Sequence, residues 1–259
     1  MLIDSHCHLD YFVEAEIDAI LARAKEAGVA HMVTIGTRVA QAASVKALAE
    51  RFPDTVWGTV GVHPHNAGEA DGLPTVEQLI ALADHPRIIG LGESGLDYFY
   101  DKAPRDLQQE GFRRHIRAAR ATGLPLAIHA RQADDDIIGI LREEHEAGGA
   151  FPFLLHCFSS GPDLARQAVA LGGYISFSGI LTFPKSPELR ALAAELPAER
   201  LLVETDSPYL APVPLRGKRC EPAFVTHTAK VLAEARGLPM AALEELTTGN
   251  FLRLYPKAA

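Results

Sequence analysis

The opening decapeptide, MLIDSHCHLD, is an apolar run that ends in two histidines one residue apart, His6 and His8. Along a strand, side chains alternate faces, so His6 and His8 point one way and Cys7 the other. Two neutral imidazoles side by side make half of a metal site. Comparable groups follow other apolar runs: His63 and His65 in GVHPH, Glu93 in GLGESGLD, His129 and Arg131 in LAIHAR, His156 in FLLHCFS, and Glu204 and Asp206 in LLVETDSPYLAP. One such histidine is ordinarily a satisfied structural residue. A set recurring at the same end of several strands is costly to bury without partners and hard to explain as packing. Four imidazoles (His6, His8, His129, His156) and two carboxylates (Glu93, Asp206) are too many for one tetrahedral ion with an open position. They suit two divalent ions roughly 3.5–4 Å apart, with Glu93 as the bridge. Imidazole and carboxylate together favour Zn²⁺ or Mn²⁺, and Mg²⁺ at a more oxygen-rich position.

Such a set needs a frame that brings strand ends together. Eight strands are predicted: Leu2–His6, His31–Ile35, Val56–Val60, Ile88–Gly92, Pro125–His129, Phe153–His156, Tyr174–Phe177 and Leu201–Thr205. Between them lie stretches with apolar residues at three- and four-residue spacing, such as EAEIDAILARAKEAG, TVEQLIALADH and RDLQQEGFRRHIRAARATG. Strands alternating with helices imply a parallel sheet, and eight units close naturally into a (β/α)8 barrel. A doubly wound open sheet would favour fewer strands. No linker, repeat or low-complexity stretch interrupts the pattern, so residues 1–259 are expected to form one domain, closed by two helices over AFVTHTAKVLAEARG and PMAALEELTTGNFLRLY.

The net charge of −8 argues against a protein that coats nucleic acid through bulk electrostatics, but not against an enzyme that meets phosphate through metal ions. Three scattered cysteines, Cys7, Cys157 and Cys220, make no disulfide framework. No basic segment followed by an apolar core opens the sequence, and no apolar run reaches membrane-spanning length. A cytoplasmic protein is expected, with no membrane association and no obligate protein partner. Cys7 and Cys157 each neighbour a proposed ligand and are expected to point away from it as small apolar fillers. His31, His85, His115, His145 and His227 are expected at helix ends or within helices, in surface or structural roles. The acidic triplet within ADDD (133–136) reads as a solvated helix start.

Taken together, DSHCHLD, GVHPH, GLGESGLDYFYD, LPLAIHAR, LLHCFSSG, LLVETDSPYLAPVPLRGKRCEPAFV and TTGNFLRLY resemble the TatD family of metal-dependent hydrolases, in order and across residues 4 to 255. The resemblance implies a (β/α)8 TIM barrel of the metallo-dependent hydrolase type, related to the amidohydrolases, and in many members a deoxyribonuclease, some of them 3′–5′ exonucleases. It implies that His6, His8, Glu93 and Asp206 hold one ion and that Glu93, His129 and His156 hold the second. The chain departs from the family pattern at Cys220, where Asn is common, in a loop away from these residues.

The expected reaction is hydrolysis of a phosphodiester in DNA, at single strands or 3′ ends, by a water activated between two metal ions. Asp206 and Glu93 are the catalytic candidates, with Asp206 orienting the water and taking its proton. His63, His65 and Arg131 are expected to bind substrate, and Arg216, Lys218 and Arg219 to offer a basic loop for the backbone. Glu204 is expected to orient a ligating histidine. The rivals are an amidohydrolase or esterase acting on a small molecule or an aminoacyl-nucleic acid with the same binuclear site, and a non-catalytic scaffold, which would predict lost ligands.

Overall fold

The computed structural model describes residues 1–70 and 72–259. Eight parallel strands run in sequence order around one sheet: β1 (Leu2–Cys7), β2 (Val29–Thr34), β3 (Val56–Val60), β4 (Ile88–Asp97), β5 (Leu126–Arg131), β6 (Phe153–Leu155), β7 (Tyr174–Phe177) and β8 (Leu201–Val203). Helices α1 (Ile17–Glu26), α2 (Ala42–Arg51), α3 (Val76–Ala83), α4 (Arg105–Thr122), α5 (Asp134–Gly148), α6 (Pro162–Ala170), α7 (Pro187–Glu195) and α8 (Val225–Arg236) fill the connections, and α9 (Met240–Leu254) ends the fold. This is the expected (β/α)8 barrel.

The ring is sealed between β1 and the segment after β8. The Asp206 N–H donates to the His6 carbonyl (2.9 Å) and the His8 N–H to the Ser207 carbonyl (2.7 Å). β8 is only three residues long, so a side chain supplies further rungs. The buried Asp4 carboxylate accepts the Thr205 N–H (2.8 Å) and hydroxyl (2.6 Å).

Each strand contributes one residue to an apolar cluster inside the barrel, Ile3, Val33, Trp57, Ile89, Ala127, Leu154, Tyr174 and Leu202, joined by Ile35 just past β2 and capped by Phe251 and Leu254 of α9 and by Tyr255 just beyond it. One end of the barrel is therefore plugged with apolar side chains, and polar chemistry is left to the C-terminal mouth. Asn250 of α9 donates to the Ala198 and Leu201 carbonyls (both 2.8 Å), which holds the plug to the start of β8.

Two of the register shifts fall beside the polar mouth. Between Leu91 and Ser94, three residues of β4 face two of β5, and between Asp4 and Cys7 the same happens to β1 against β2. Such bulges re-aim a side chain; here they fall beside Glu93 and His6. Gly92 and Gly95 permit the close approach on β4. Both have positive φ, and a Cβ at Gly95 would overlap the His129 carbonyl.

Some elements differ from expectation. β4 runs five residues past Gly92 because its far end pairs with β5 and is fully buried. His31 lies in β2, as the strand predicted over His31–Ile35 has it and not at a helix end, and stacks on Trp57 (centroids 4.6 Å). The acidic start of α5 is not simply solvated: Asp134 accepts the Gly161 N–H (2.9 Å) and Asp136 the Tyr98 hydroxyl (2.6 Å).

His115 is structural, as expected. Its Nδ1–H donates to Gly111 O (2.7 Å) and its Nε2 accepts the Val62 N–H (3.0 Å), the residue before His63. A second proton would set N–H against N–H, and burial already pushes this imidazole down to about 4. A depressed histidine contributes stability that is whole above its unfolded value near 6.5 and is lost as pH falls toward the folded one. The wild-type protein should therefore lose on the order of 3 kcal/mol more than His115→Gln between pH 7 and 4, read as the difference between their thermal-unfolding curves. Parallel pH dependences would show that His115 is not held neutral.

Candidate active site

Glu93 leaves the β4 bulge pointing along the barrel axis and is 2% exposed. Five imidazoles surround its carboxylate in two groups. Oε1 faces His156 Nε2 (2.7 Å), His129 Nδ1 (2.9 Å) and His63 Nε2 (3.3 Å). Oε2 faces His6 Nε2 (3.4 Å) and His8 Nε2 (3.8 Å). Asp206 Oδ1 joins the second group, 3.6 Å from His6 Nε2 and 3.4 Å from His8 Nε2. Asp206 sits at φ +59° past the end of β8, a left-handed conformation that Asp tolerates better than most residues. All six expected ligands thus meet, together with His63, and all of these but the fully buried His6 line a cleft of about 970 Å³.

The hydrogen bonds at the far side of each ring fix the role of the nitrogen that faces inward. His156 Nδ1–H donates to Glu204 (3.2 Å), and His129 Nε2–H donates to Asp97 Oδ2 (3.1 Å). Each outward N–H leaves the inward nitrogen as the one that can give its lone pair to an ion, as a metal ligand must. Toward Glu93 itself that nitrogen favours a proton, because burial is outweighed chiefly by Asp97 and Glu93 at His129 and by Glu93 and Glu204 at His156, which raises both imidazoles. His63 is the reverse. Its Nδ1 accepts the His65 N–H (3.1 Å), so its inward Nε2 keeps the proton. His63, Glu93 and His129 lie close enough to hold an ion, but this tautomer makes His63 a hydrogen-bond donor. Burial, only partly opposed by Glu93, pushes His63 down to about 4, so the ring is neutral.

Burial would raise the Glu93 carboxyl, but the surrounding imidazoles, His156 and His63 first, outweigh it and hold the group well below the usual carboxylate range. Asp206 is likewise held low, its burial outweighed chiefly by His8 and His6. The donor set fits a metal. Both nitrogens of His6 and Nδ1 of His8 are buried without a hydrogen-bond partner, and the His6 Nε2 lies between two ionised carboxylates. His6–His8–Glu93 and His6–His156–Asp206 are each compact enough to bind an ion.

Glu204 orients His156, as expected, and also accepts the Cys157 N–H (2.8 Å). Asp97 is the residue that sequence reasoning missed. Its Oδ2 accepts from His129 and from His65 Nε2 (2.8 Å), while its Oδ1 accepts the Phe99 (3.0 Å) and Tyr100 (2.8 Å) backbone N–H groups. The signal was there: Asp97 follows Glu93 by four and shares its face once the strand is extended.

Arg131 is the last residue of β5 and lines the cleft with His65, Arg38 and Lys102. The basic loop does not. Arg219 pairs with Glu16 (2.9 Å) and covers the Phe12 ring, Arg216 lies on Phe183, and neither they nor Lys218 line the cleft. Cys157 also departs from expectation. β6 stops at Leu155, so strand alternation no longer applies, and the residue turns at φ +44° to line the cleft beside Ser178. Cys7 is the buried filler expected, its thiol donating to Val33 O (3.3 Å).

The sequence profile of the family described as TatD related DNase matches residues 3–256. The chain belongs to this family. Within it, the chain is 41% identical over 260 residues to the uncharacterized metal-dependent hydrolase YcfH of Escherichia coli K12, covering 98% of this chain and 95% of that one. It is 35% identical to the 3′-5′ ssDNA/RNA exonuclease TatD of Cronobacter sakazakii, over 93% and 92% of the two chains. The crystal structure of the TatD homologue YjjV from E. coli superposes with a TM-score of 0.88 at 29% identity, over 98% of each chain. This TatD-family chain is a metal-dependent hydrolase whose His, Glu and Asp clusters are able to hold metal.

If Asp97 holds the His129 tautomer, Asp97→Asn should weaken metal binding about 10- to 100-fold while leaving a folded barrel, measured by competition with a chromophoric chelator. Unchanged affinity would remove Asp97 from the support of the site.

Proposed function

We propose that this hydrolase cleaves phosphodiester bonds in DNA, working from a free 3′ end of a single strand. The observation that carries the reading is the division of Glu93, one oxygen toward His129 and His156 and the other toward His6, His8 and Asp206, beneath a cleft edged by arginine and lysine. In this reading His6, His8, Asp206 and Glu93 would hold one divalent ion, and Glu93, His129 and His156 the other. Nitrogen-rich donors suit Zn²⁺ or Mn²⁺ better than Mg²⁺. When bound, the ions lower the pKa of water and neutralise charge developing on phosphate.

The chain's own residues supply the rest. Asp206 is the most open carboxylate of the cluster, with 15% of its side chain exposed, and stays ionised. It orients the attacking water and takes its proton. His63 Nε2–H donates to the phosphate or to the departing oxygen. Arg131 grips a neighbouring phosphate with its planar fork. His65, tied to Asp97, forms the wall against which the strand lies. The 3′–5′ polarity and the single-strand preference are supported by the Cronobacter relative. A single domain over residues 1–259 accords with one barrel plugged by its own last helix, and three free thiols accord with a reducing cytoplasm. Among the described residues no helix is long and apolar enough to cross a membrane.

Metal-loaded protein mixed with 5′-labelled oligonucleotides should shorten single strands stepwise from the 3′ end. Chelation should stop the reaction, and Glu93→Gln should lower kcat on the order of 1000-fold. His63→Asn should lower kcat by about 10- to 100-fold with metal content unchanged, as a donor does and a ligand does not. An intact oligonucleotide under Zn²⁺, Mn²⁺ and Mg²⁺, in protein that binds metal, would overturn the nuclease reading in favour of a carboxylic ester or amide substrate.

A further inference from the structure

Large apolar side chains left in water need a reason when they cluster. Among the described residues the exposed aromatic side chains are Phe99 (50%), Tyr100 (53%) and Tyr209 (52%); Tyr100 and Tyr209 line the cleft, and Phe99 lies against Tyr100. Phe99 and Tyr100 meet edge to face with centroids 4.9 Å apart. The Arg131 guanidinium lies over both, 4.5 Å from the Phe99 ring and 5.2 Å from the Tyr100 ring, and Lys102 Nζ is 5.6 Å from Tyr100. The His65 ring touches Tyr100 edge-on at 5.3 Å, so this ledge continues into the wall of the site.

The ledge is also rigid. Asp97, whose Oδ2 holds His129, fixes the Phe99 and Tyr100 backbone through Oδ1. One buried carboxylate thus ties the backbone that carries the aromatic rings to the hydrolytic centre. Aromatic faces interleaved with cations, leading to a phosphate-cutting floor, have the chemistry of a single-strand platform. Bases stack on the rings whatever their identity, and the cations track the backbone.

We propose that Phe99 and Tyr100, backed by Arg131 and Lys102, stack the unpaired bases of the strand whose backbone enters the cleft, and that this stacking is what selects single-stranded ends. The inference rests on the nuclease reading and goes further by naming the residues that read the strand. Paired bases present no open face to the ledge, so a duplex must fray before it engages.

Metal-loaded protein is titrated into an oligothymidylate carrying 2-aminopurine near its 3′ end, with phosphorothioate linkages that resist hydrolysis; stacking quenches the 2-aminopurine emission. The wild type should quench it. The double variant Phe99→Ala/Tyr100→Ala should lose the quench and bind about 10-fold or more weakly, while Tyr100→Trp retains both. Both residues are exposed and hold Asp97 through backbone N–H groups, so circular dichroism should show an unchanged fold. Replacing the terminal bases with abasic sites should weaken wild-type binding and leave the double variant almost indifferent. Equal quenching and affinity in wild type and double variant would overturn the ledge, as would equal wild-type affinity for abasic strands. If strands are still cut on an unmodified oligonucleotide in that event, the nuclease reading stands without the ledge. If the wild type neither binds nor cuts them, the nuclease reading fails and takes the ledge with it.

Discussion

An ionised carboxylate inside a barrel must be compensated at close range, because desolvation is costly and no water is at hand to offset it. Glu93 meets that constraint with five imidazoles, and much of the mouth follows from the need to place them. They come from β1, β5 and the segments just beyond β1, β3 and β6. The bulges in β1 and β4, the glycines of β4 and the closure of β1 onto the residues after β8 are all local departures from a regular barrel. Each falls where a side chain has to be turned toward this one carboxylate.

A second ring of buried carboxylates gives the imidazoles their identity. Asp97 and Glu204 take the outward protons of His129 and His156 and leave the inward nitrogens as the ones that can bind an ion. A backbone N–H does the opposite to His63. Three histidines within reach of the same oxygen are thereby divided into two lone-pair donors and one proton carrier. Proximity alone would have treated them alike, and the hydrogen bond on the remote side of each ring separates them.

The two ends of the barrel answer to different physics. At the N-terminal end, one apolar side chain per strand packs against Phe251, Leu254 and Tyr255 and excludes water. At the C-terminal end the strands stop at different lengths, from three residues in β6 and β8 to ten in β4. That unevenness opens the cleft and lets β4 carry Glu93, Asp97 and the ledge beyond it on one continuous element. The net acidity of the chain does not prevent a locally basic mouth, because Arg131 and Lys102 stand at the rim.

The sequence by itself determined the eight strands, their alternation with helices and the six polar residues at their ends. Those features are written in local periodicity and residue type, and β3 and β7 fall on the very residues predicted. It also carried the partnership of Glu204, through two-residue spacing from Asp206. Tertiary structure alone decided the rest. Asp97 was hidden because β4 reads as ending at Gly92, and only contact with β5 shows that it continues. The basic loop looked available, but Glu16, Phe12 and Phe183, remote in sequence, occupy its arginines. Cys157 was assigned to the wrong face because alternation holds only while a strand lasts. Spacing along a chain fixes which side chains share a face; which strands stop early, and what stands across the gap, depends on contacts between residues far apart in sequence.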